Sequence, residues 1–136
     1  MVLKENKKDT QKSHTYLQSF HYAFKGVQTV FSEERNMRTH LSLGFIILIL
    51  GFLFDISYME WLWVTFSIFF VLIMEITNTV IENLVDLVTN YEFHPLAKKV
   101  KDMAAASVLL SASLSVVIGC IIFLPKVLLF FEHIIN

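Results

Sequence analysis

Four polar side chains that could bind a cation or move a proton recur in one short stretch: Glu75, Asn78, Glu82 and Asp86. At about 100° per residue, all four fall on one face of a helix, within an arc of roughly 80°. Glu75 directly follows a long apolar run, and a carboxylate at that depth in a membrane is costly to place. A helix end emerging into water would explain Glu82 and Asp86, but it explains Glu75 poorly. The pattern therefore favours a functional polar face.

The spread of this face along the helix suggests a division of labour. At 1.5 Å per residue, Glu82 lies about 10 Å and Asp86 about 16 Å beyond Glu75. Carboxylate oxygens hold Mg²⁺, which in turn holds phosphates. A deeper carboxylate suits a general base for a lipid hydroxyl. We therefore expect metal and nucleotide near water and an acceptor hydroxyl deeper in the membrane.

Other site chemistries lack their residues in this sequence. The four glycines are isolated, so neither a Walker-type loop nor a GxGxxG loop is present to bind phosphates. The five histidines are scattered and there is a single cysteine, Cys120, so no zinc motif is indicated. We expect no nucleic-acid partner.

Composition predicts a membrane protein, and the distribution of charge predicts its orientation. Hydrophobic residues make up 55% of the 136 residues and are gathered into runs. Of eleven Lys and Arg residues, seven precede the first apolar run, three lie between the second and third, and one follows the last. By the positive-inside rule, the N-terminus and the second loop are cytoplasmic. We expect a multi-pass protein of the bacterial cytoplasmic membrane with its site on the cytoplasmic side.

The elements that position the polar face follow from hydrophobic periodicity. The sequence predicts an all-α membrane protein with an N-terminal amphipathic surface helix and three transmembrane helices. The predicted segments are a disordered tail (1–14), the surface helix (about 15–34), three spans (about 40–56, 60–88 and 101–124) and a C-terminal tail (127–136). Residues 15–126, between the two tails, form the predicted functional domain.

Several motifs together resemble one known family, the small bacterial integral-membrane lipid kinases (diacylglycerol kinase and undecaprenol kinase). The resemblance covers about residues 15–126. The central motif is Glu75-x-x-Asn78-x-x-x-Glu82-x-x-x-Asp86, followed by Lys101-Asp102-Met103-Ala104-Ala105-Ala106. Three further stretches look most like the undecaprenol-preferring, Gram-positive branch: Glu33-Glu34-Arg35-Asn36, His94-Pro95-Leu96-Ala97-Lys98 and Ile122-Phe123-Leu124-Pro125-Lys126.

This resemblance implies a homotrimer with active sites shared between neighbouring subunits, ATP as co-substrate and Mg²⁺ as cofactor. By motif position, it implies Glu75 as the catalytic base and Asn78 as a residue that orients the reacting groups. Glu34 and Glu82 would bind the metal. The residues implied to lie beside ATP are Tyr22, Glu34, Glu82, Asp86, Glu92, His94, Lys101 and Asp102. Many relatives carry a basic residue where this chain has Thr15, so one phosphate or lipid contact lacks its usual residue. Lys12 or His14 could supply that contact.

Three alternatives stay open at this stage. The acceptor could be diacylglycerol rather than undecaprenol, since both present a hydroxyl at the same interface. A small oligomeric proton or cation transporter would use Glu75 as its membrane carboxylate, but it gives no role to Glu34 and Lys101. A non-catalytic membrane scaffold would use the polar face only to join protomers. The leading prediction is ATP-dependent phosphorylation of undecaprenol.

Overall fold

Four α-helices account for nearly all of residues 16–135, the part of the chain that the computed structural model describes. The helices are α1 (Tyr16–Glu33), α2 (Arg35–Leu53), α3 (Tyr58–Thr89) and α4 (Pro95–Ile135). Three of them, α2, α3 and α4, are long and apolar enough to cross a membrane. The predicted all-α fold with three membrane-length helices is therefore confirmed. The predicted disordered tail, residues 1–14, lies outside the described residues, as does Thr15.

Capping interactions define both ends of α3. At its start, Ser57 and Glu60 form a capping box, in which the Ser57 N–H donates to Glu60 Oε2 (2.6 Å) and the Glu60 N–H donates to Ser57 Oγ (3.4 Å). At its end, Asn90 adopts a left-handed conformation (φ 50°), and its N–H donates to the Asp86 carbonyl. The 32-residue helix thus carries the polar face without interruption.

The last helix is longer than the predicted third span. His94 initiates it, since its Nδ1 accepts a hydrogen bond from the Leu96 N–H (3.2 Å) and Pro95 occupies the first helical position. α4 then continues through Pro125 to Ile135. A proline inside a membrane helix is tolerated where neighbouring helices, Ser or Thr side chains, water or local backbone adjustments satisfy the backbone groups that it frees. Residues 127–135, predicted as a C-terminal tail, are helical and continue α4.

Contacts at three levels show that α3 and α4 pack antiparallel. Lys126 Nζ lies 3.3 Å from Glu60 Oε2 at one end. In the middle, the Ser115 hydroxyl lies 3.3 Å from the Ser67 carbonyl. At the other end, Lys101 pairs with Asp86. Small residues of α4, including the buried Ser111, allow this close approach.

α2 packs against α3 through residues spaced seven apart. Met37, Gly44 and Gly51 are the buried residues of this helix. A Cβ added at Gly44 would lie 3.1 Å from Ile68, and one added at Gly51 would lie 2.7 Å from the Trp61 ring. The glycines therefore set the distance between the two helices.

An apolar core closes the end of the bundle remote from Glu75. It consists of four buried side chains contributed by the α2–α3 turn, α3 and α4: Ile56, Val64, Ile122 and Phe123. The Phe54 ring stacks edge-on against both Phe123 and Phe130, with ring centroids 6.3 and 6.4 Å apart. These contacts join the ends of α2 and α4, whose backbones otherwise stay apart within residues 16–135.

A single arginine fixes the elbow between α1 and α2. Glu34 is the one non-helical residue between the two helices. Arg38 Nη1 donates to the carbonyls of Phe31 (3.1 Å) and Ser32 (2.8 Å) at the C-terminus of α1. A cation there also faces the negative end of the helix dipole. The direction of α1 is thereby tied to the first turn of α2.

We expect Gly51→Ala to lower the free energy of unfolding by about 1–3 kcal/mol, because the added methyl group must displace the Trp61 ring. The measurement is thermal or denaturant unfolding in one detergent. Gly119→Ala is the matched control, since a Cβ at Gly119 meets nothing within 4 Å. This control should preserve or slightly raise stability, because glycine weakens a helix relative to alanine. Equal stability of the two variants would contradict the proposed close contact.

Candidate functional site

The polar face of α3 is buried at its deeper end. Glu75 is 1% exposed, Thr79 3% and Asn78 7%, although α3 is otherwise an apolar helix with many exposed side chains. The Thr79 hydroxyl donates to the Glu75 carbonyl (3.1 Å), which satisfies the hydroxyl within the helix. The Glu75 carboxylate and the Asn78 amide are therefore the buried polar groups left to interact with other molecules at this level of the helix.

The first two turns of α2 contribute to the surroundings of the Glu75 carboxylate. Asn36 and His40 of α2 lie in the neighbourhood of this carboxylate. Two further carboxylates, Glu34 and Glu82, lie close enough to repel it. The α1–α2 elbow and the α2–α3 packing thus bring three predicted site residues together: Glu34, Glu75 and Glu82.

Two buried acceptor atoms of this cluster are unpartnered. The amide of Asn78 donates through Nδ2 to Glu82 Oε1 at 3.0 Å. Its own oxygen, Oδ1, and Glu75 Oε2 accept no hydrogen bond from any of the residues 16–135. A buried acceptor without a donor costs about 1–3 kcal/mol. Such a cost is typical of a site in which a ligand supplies the missing donor.

The carboxylates present suit a hard cation that takes most of its ligands from substrate and water rather than from the protein. Glu34 and Glu82 offer carboxylate oxygens, which suit Mg²⁺. No group of three His, Cys, Asp or Glu side chains within residues 16–135 is arranged to hold a metal by itself. Mg²⁺ is commonly bound through one or two carboxylates plus substrate phosphates and water. Glu34 and Glu82 are therefore the carboxylates near Glu75 that could contribute ligands of this kind.

At the shallower end of the face, an ion pair links α3 to α4. Lys101 Nζ lies 2.5 Å from Asp86 Oδ1, with the two side chains 34% and 25% exposed. The neighbouring Asp102 pairs instead with Lys98 one turn earlier on α4, where both side chains are 63% exposed. Of the two residues expected to contact ATP here, Lys101 thus joins the polar face and Asp102 faces solvent.

Three other predicted site residues lie apart from this cluster within one chain. Tyr22 is half exposed on α1, about 18 Å of helix before Glu34. Glu92 and His94 are exposed in the turn before α4 and line a separate cleft of about 550 Å³ with Val88 and Phe93. One protomer therefore does not bring all the predicted residues together.

Two residues of the cluster, Asn36 and His40, were not predicted from the sequence. The sequence suggested only that His40 extends the first span. Both residues belong to one face of α2, four residues apart, next to the buried Met37. The seven-residue spacing of Met37, Gly44 and Gly51 is the signal that could have identified this face.

An apolar cleft of about 550 Å³ leads away from the carboxylate cluster between α2, α3 and α4. Its α3 wall contains Val64, Ser67 and Val71, and Val71 lies one helical turn from Glu75. On α2, its lining begins at His40. The cleft and the carboxylate cluster thus share the His40 side chain.

Comparison with known proteins gives a consistent result. A family model described as "Prokaryotic diacylglycerol kinase" matches residues 21–123. Undecaprenol kinase of Bacillus subtilis (strain 168) is 38% identical over 122 residues, covering 90% of this chain and 98% of that protein. A diacylglycerol kinase of Synechocystis sp. is 36% identical over 112 residues, covering 82% of this chain and 64% of that protein. Diacylglycerol kinase of Escherichia coli (strain K12) is 28% identical over 101 residues, covering 74% and 82%. The range 21–123 contains every predicted site residue.

Proposed function

The chain belongs to the prokaryotic diacylglycerol kinase family, and on that premise we propose that it transfers the γ-phosphoryl group of ATP to undecaprenol. The resemblance read from the motifs is confirmed at the level of the family. The chain is a lipid kinase and a multi-pass membrane protein. Membership implies ATP as the phosphate donor and a membrane lipid as the acceptor.

One observation carries the proposed mechanism: the buried Glu75 carboxylate has an oxygen, Oε2, without a hydrogen-bond donor. A lipid hydroxyl would supply that donor. In the transfer step, the hydroxyl oxygen forms a bond to the γ-phosphorus while the bond from that phosphorus to the β,γ-bridging oxygen breaks. ADP leaves, and Glu75 accepts the hydroxyl proton as the general base.

Asn78 orients the reacting groups in this proposal. Its amide nitrogen is committed to Glu82, so the side chain is held in one orientation. Its unpartnered Oδ1 is then free to accept a hydrogen bond from a bound group. Correct positioning contributes strongly to phosphoryl transfer, because the reaction needs the attacking and leaving oxygens in line.

The nucleotide end of the site is proposed at the shallower groups. Glu34 and Glu82 would hold Mg²⁺, which when bound neutralises charge on the phosphates of ATP. Lys101, held by Asp86, faces the polar side of α3 and would offset charge on the transferred group. The proposed nucleotide contacts are completed by Asp102, Tyr22, Glu92 and His94.

A homotrimer with shared sites is part of the proposal. The separation of Tyr22, Glu92 and His94 from the Glu75 cluster within one chain supports it, because a neighbouring subunit could bring them together. The three membrane-length helices also leave most of their surfaces exposed in a single chain. Self-association would cover part of these surfaces.

The site is proposed to face the cytoplasm, with α1 at the membrane surface. The positive charges of the N-terminal region and of the α3–α4 turn support this orientation. The apolar side chains of α1 that would enter the headgroup region are exposed: Leu17, Phe20, Phe24, Val27 and Phe31. The other three helices, α2, α3 and α4, would then cross the bilayer, with the site at their cytoplasmic ends.

We expect Glu75→Gln to abolish lipid phosphorylation while leaving a folded protein of unchanged assembly. Glutamine keeps the size of the side chain but removes the base. The measurement is transfer of labelled γ-phosphate to undecaprenol in micelles, with size-exclusion chromatography of the same sample. Glu33→Gln, an exposed acid next to Glu34, is the matched control and should keep full activity. Near-normal turnover by Glu75→Gln would remove Glu75 from the base role.

For Glu34→Ala and Glu82→Ala, we expect the Mg²⁺ concentration needed for half-maximal rate to rise by about tenfold or more, because each removes a carboxylate ligand. Titration of activity with Mg²⁺ at fixed ATP measures this. Glu33→Ala serves as the control. An unchanged Mg²⁺ dependence in both variants would argue against the assignment of these two glutamates to the metal.

The acceptor is tested by side-by-side assays with undecaprenol and dioleoylglycerol in identical micelles. We expect a higher kcat/KM for undecaprenol. The relative named undecaprenol kinase, which this chain matches over 98% of its length, supports that expectation. The relatives named diacylglycerol kinase support the alternative acceptor. A higher kcat/KM for dioleoylglycerol would replace undecaprenol with diacylglycerol in the proposal.

A further inference from the structure

We propose that Asp86 is a positioning residue for the transfer step. It holds the Lys101 ammonium on the polar face of α3 before ATP arrives, and it acts on the reaction only through that ammonium. Asp86 itself contacts neither ATP nor the metal in this proposal. The inference rests on the proposed function, because it explains how the lysine that offsets charge on the transferred group is kept in place.

The ion pair between Asp86 and Lys101 joins two helices and is partly shielded from solvent. The two residues are fifteen positions apart in the chain, and both side chains are well under half exposed. Among residues 16–135, Lys101 has no other hydrogen-bond or ion-pair partner. The pair of Lys98 with Asp102 lies within one helix and is exposed, and such pairs contribute little to stability. The place of the Lys101 ammonium therefore depends on one residue.

The register of α3 puts this ammonium next to the proposed metal ligands. Asp86 follows Glu82 by four residues, so it lies about 6 Å further along the same face. Phosphates held through Mg²⁺ at Glu34 and Glu82 would approach the face at this level. An ammonium has three N–H donors, and Asp86 accepts one of them. Lys101 can thus bind phosphate oxygens while it stays paired with Asp86.

The position of Asp86 is unfavourable for α3 itself. The residue lies in the last turn of the helix, which ends at Thr89. A carboxylate there faces the negative end of the helix dipole, where a cation is preferred, and this turn contains no basic residue. The compensating charge comes from Lys101 of α4. The cation that it holds, rather than the stability of α3, therefore explains an acid at this position.

The turn after α3 fixes the backbone of Asp86. Its carbonyl accepts hydrogen bonds from the N–H groups of Asn90 and Tyr91, the second at 3.1 Å. Both residues are left-handed, with φ of 50° and 62°, and this conformation is uncommon for tyrosine. The carboxylate that holds Lys101 is thus attached to a backbone with a defined direction.

Ordering the lysine in advance favours the transition state. A lysine side chain loses much rotamer freedom when it is fixed in one place. Because Asp86 fixes Lys101 in the folded protein, this loss does not accompany the transfer step. Charged groups that are already oriented stabilise a transition state without further reorganisation. The contribution of Asp86 should therefore appear in kcat.

We expect Asp86→Asn to lower kcat about tenfold, because asparagine keeps the size of the side chain but releases the ammonium. KM for ATP and the Mg²⁺ concentration for half-maximal rate should stay within about threefold. Lys126→Gln is the matched control, since it breaks the other ion pair between α3 and α4, with Glu60, at similar exposure. The control should keep full kcat. Asp86→Glu, which retains the carboxylate, should recover most of the activity.

Three results of this comparison would overturn the inference. A raised Mg²⁺ requirement in Asp86→Asn would make Asp86 a metal ligand. A raised KM for ATP with unchanged kcat would make it a nucleotide contact. An equal loss of kcat in Lys126→Gln would make the ion pair a general tie between the helices.

A double variant tests whether Asp86 acts through Lys101. In a Lys101→Gln background, we expect Asp86→Asn to change kcat by less than about twofold, because the group that it positions is gone. A further tenfold loss there would overturn the inference. Full kcat in Asp86→Asn, with a large loss in Lys101→Gln, would overturn the inference alone and leave the proposed function intact. Full kcat in Lys101→Gln would overturn the proposed role of Lys101 and the inference with it.

A second measurement reads the position of the lysine without turnover, so it also serves if the double variant is inactive. Reductive methylation of the folded protein, followed by mass spectrometry, should modify Lys101 about tenfold more slowly than the exposed Lys99, because the carboxylate shields the paired ammonium. Asp86→Asn should bring the rate at Lys101 close to that at Lys99, and Asp86→Glu should not. A rate at Lys101 that does not respond to Asp86→Asn would overturn the inference.

Discussion

A carboxylate buried at membrane depth is the constraint on which the rest of this structure depends. Glu75 is buried in an apolar bundle, where a carboxyl group is costly unless polar groups lie near it. Asn36 and His40, in the neighbourhood of this carboxylate, come from α2, so the two helices must pack closely and in one register. Gly44 and Gly51 permit that approach. The packing of the bundle and the surroundings of Glu75 therefore rely on the same helix pair.

The sequence predicted the elements of this arrangement better than their mutual contacts. Helical periodicity alone identified the polar face of α3, because Glu75, Asn78 and Glu82 recur at helical spacing on an otherwise apolar helix. The membrane-length helices followed from hydropathy. Both features are local, since they are set by residues close together in the chain.

Contacts between helices were harder to predict from the sequence. The proximity of Asn36 and His40 to Glu75 depends on how α2 is rotated against α3, and the apolar face of α2 is too continuous to fix that rotation by hydrophobicity alone. Similarly, the pairing of Lys101 with Asp86 depends on the register of α4. The length of α4 could not be read from Pro125, because a membrane helix can continue through proline when other groups satisfy the freed backbone atoms.

The elbow at Glu34 connects α1 to the three-helix bundle. Arg38 clasps the last carbonyls of α1, and a single residue separates that helix from α2. α1 therefore acts as a lever whose fulcrum is a carboxylate-bearing residue. A change in the direction of α1 would therefore be passed to the Glu34 backbone rather than absorbed by a loose linker. The orientation of α1 and the position of Glu34 beside α3 are in this way set together.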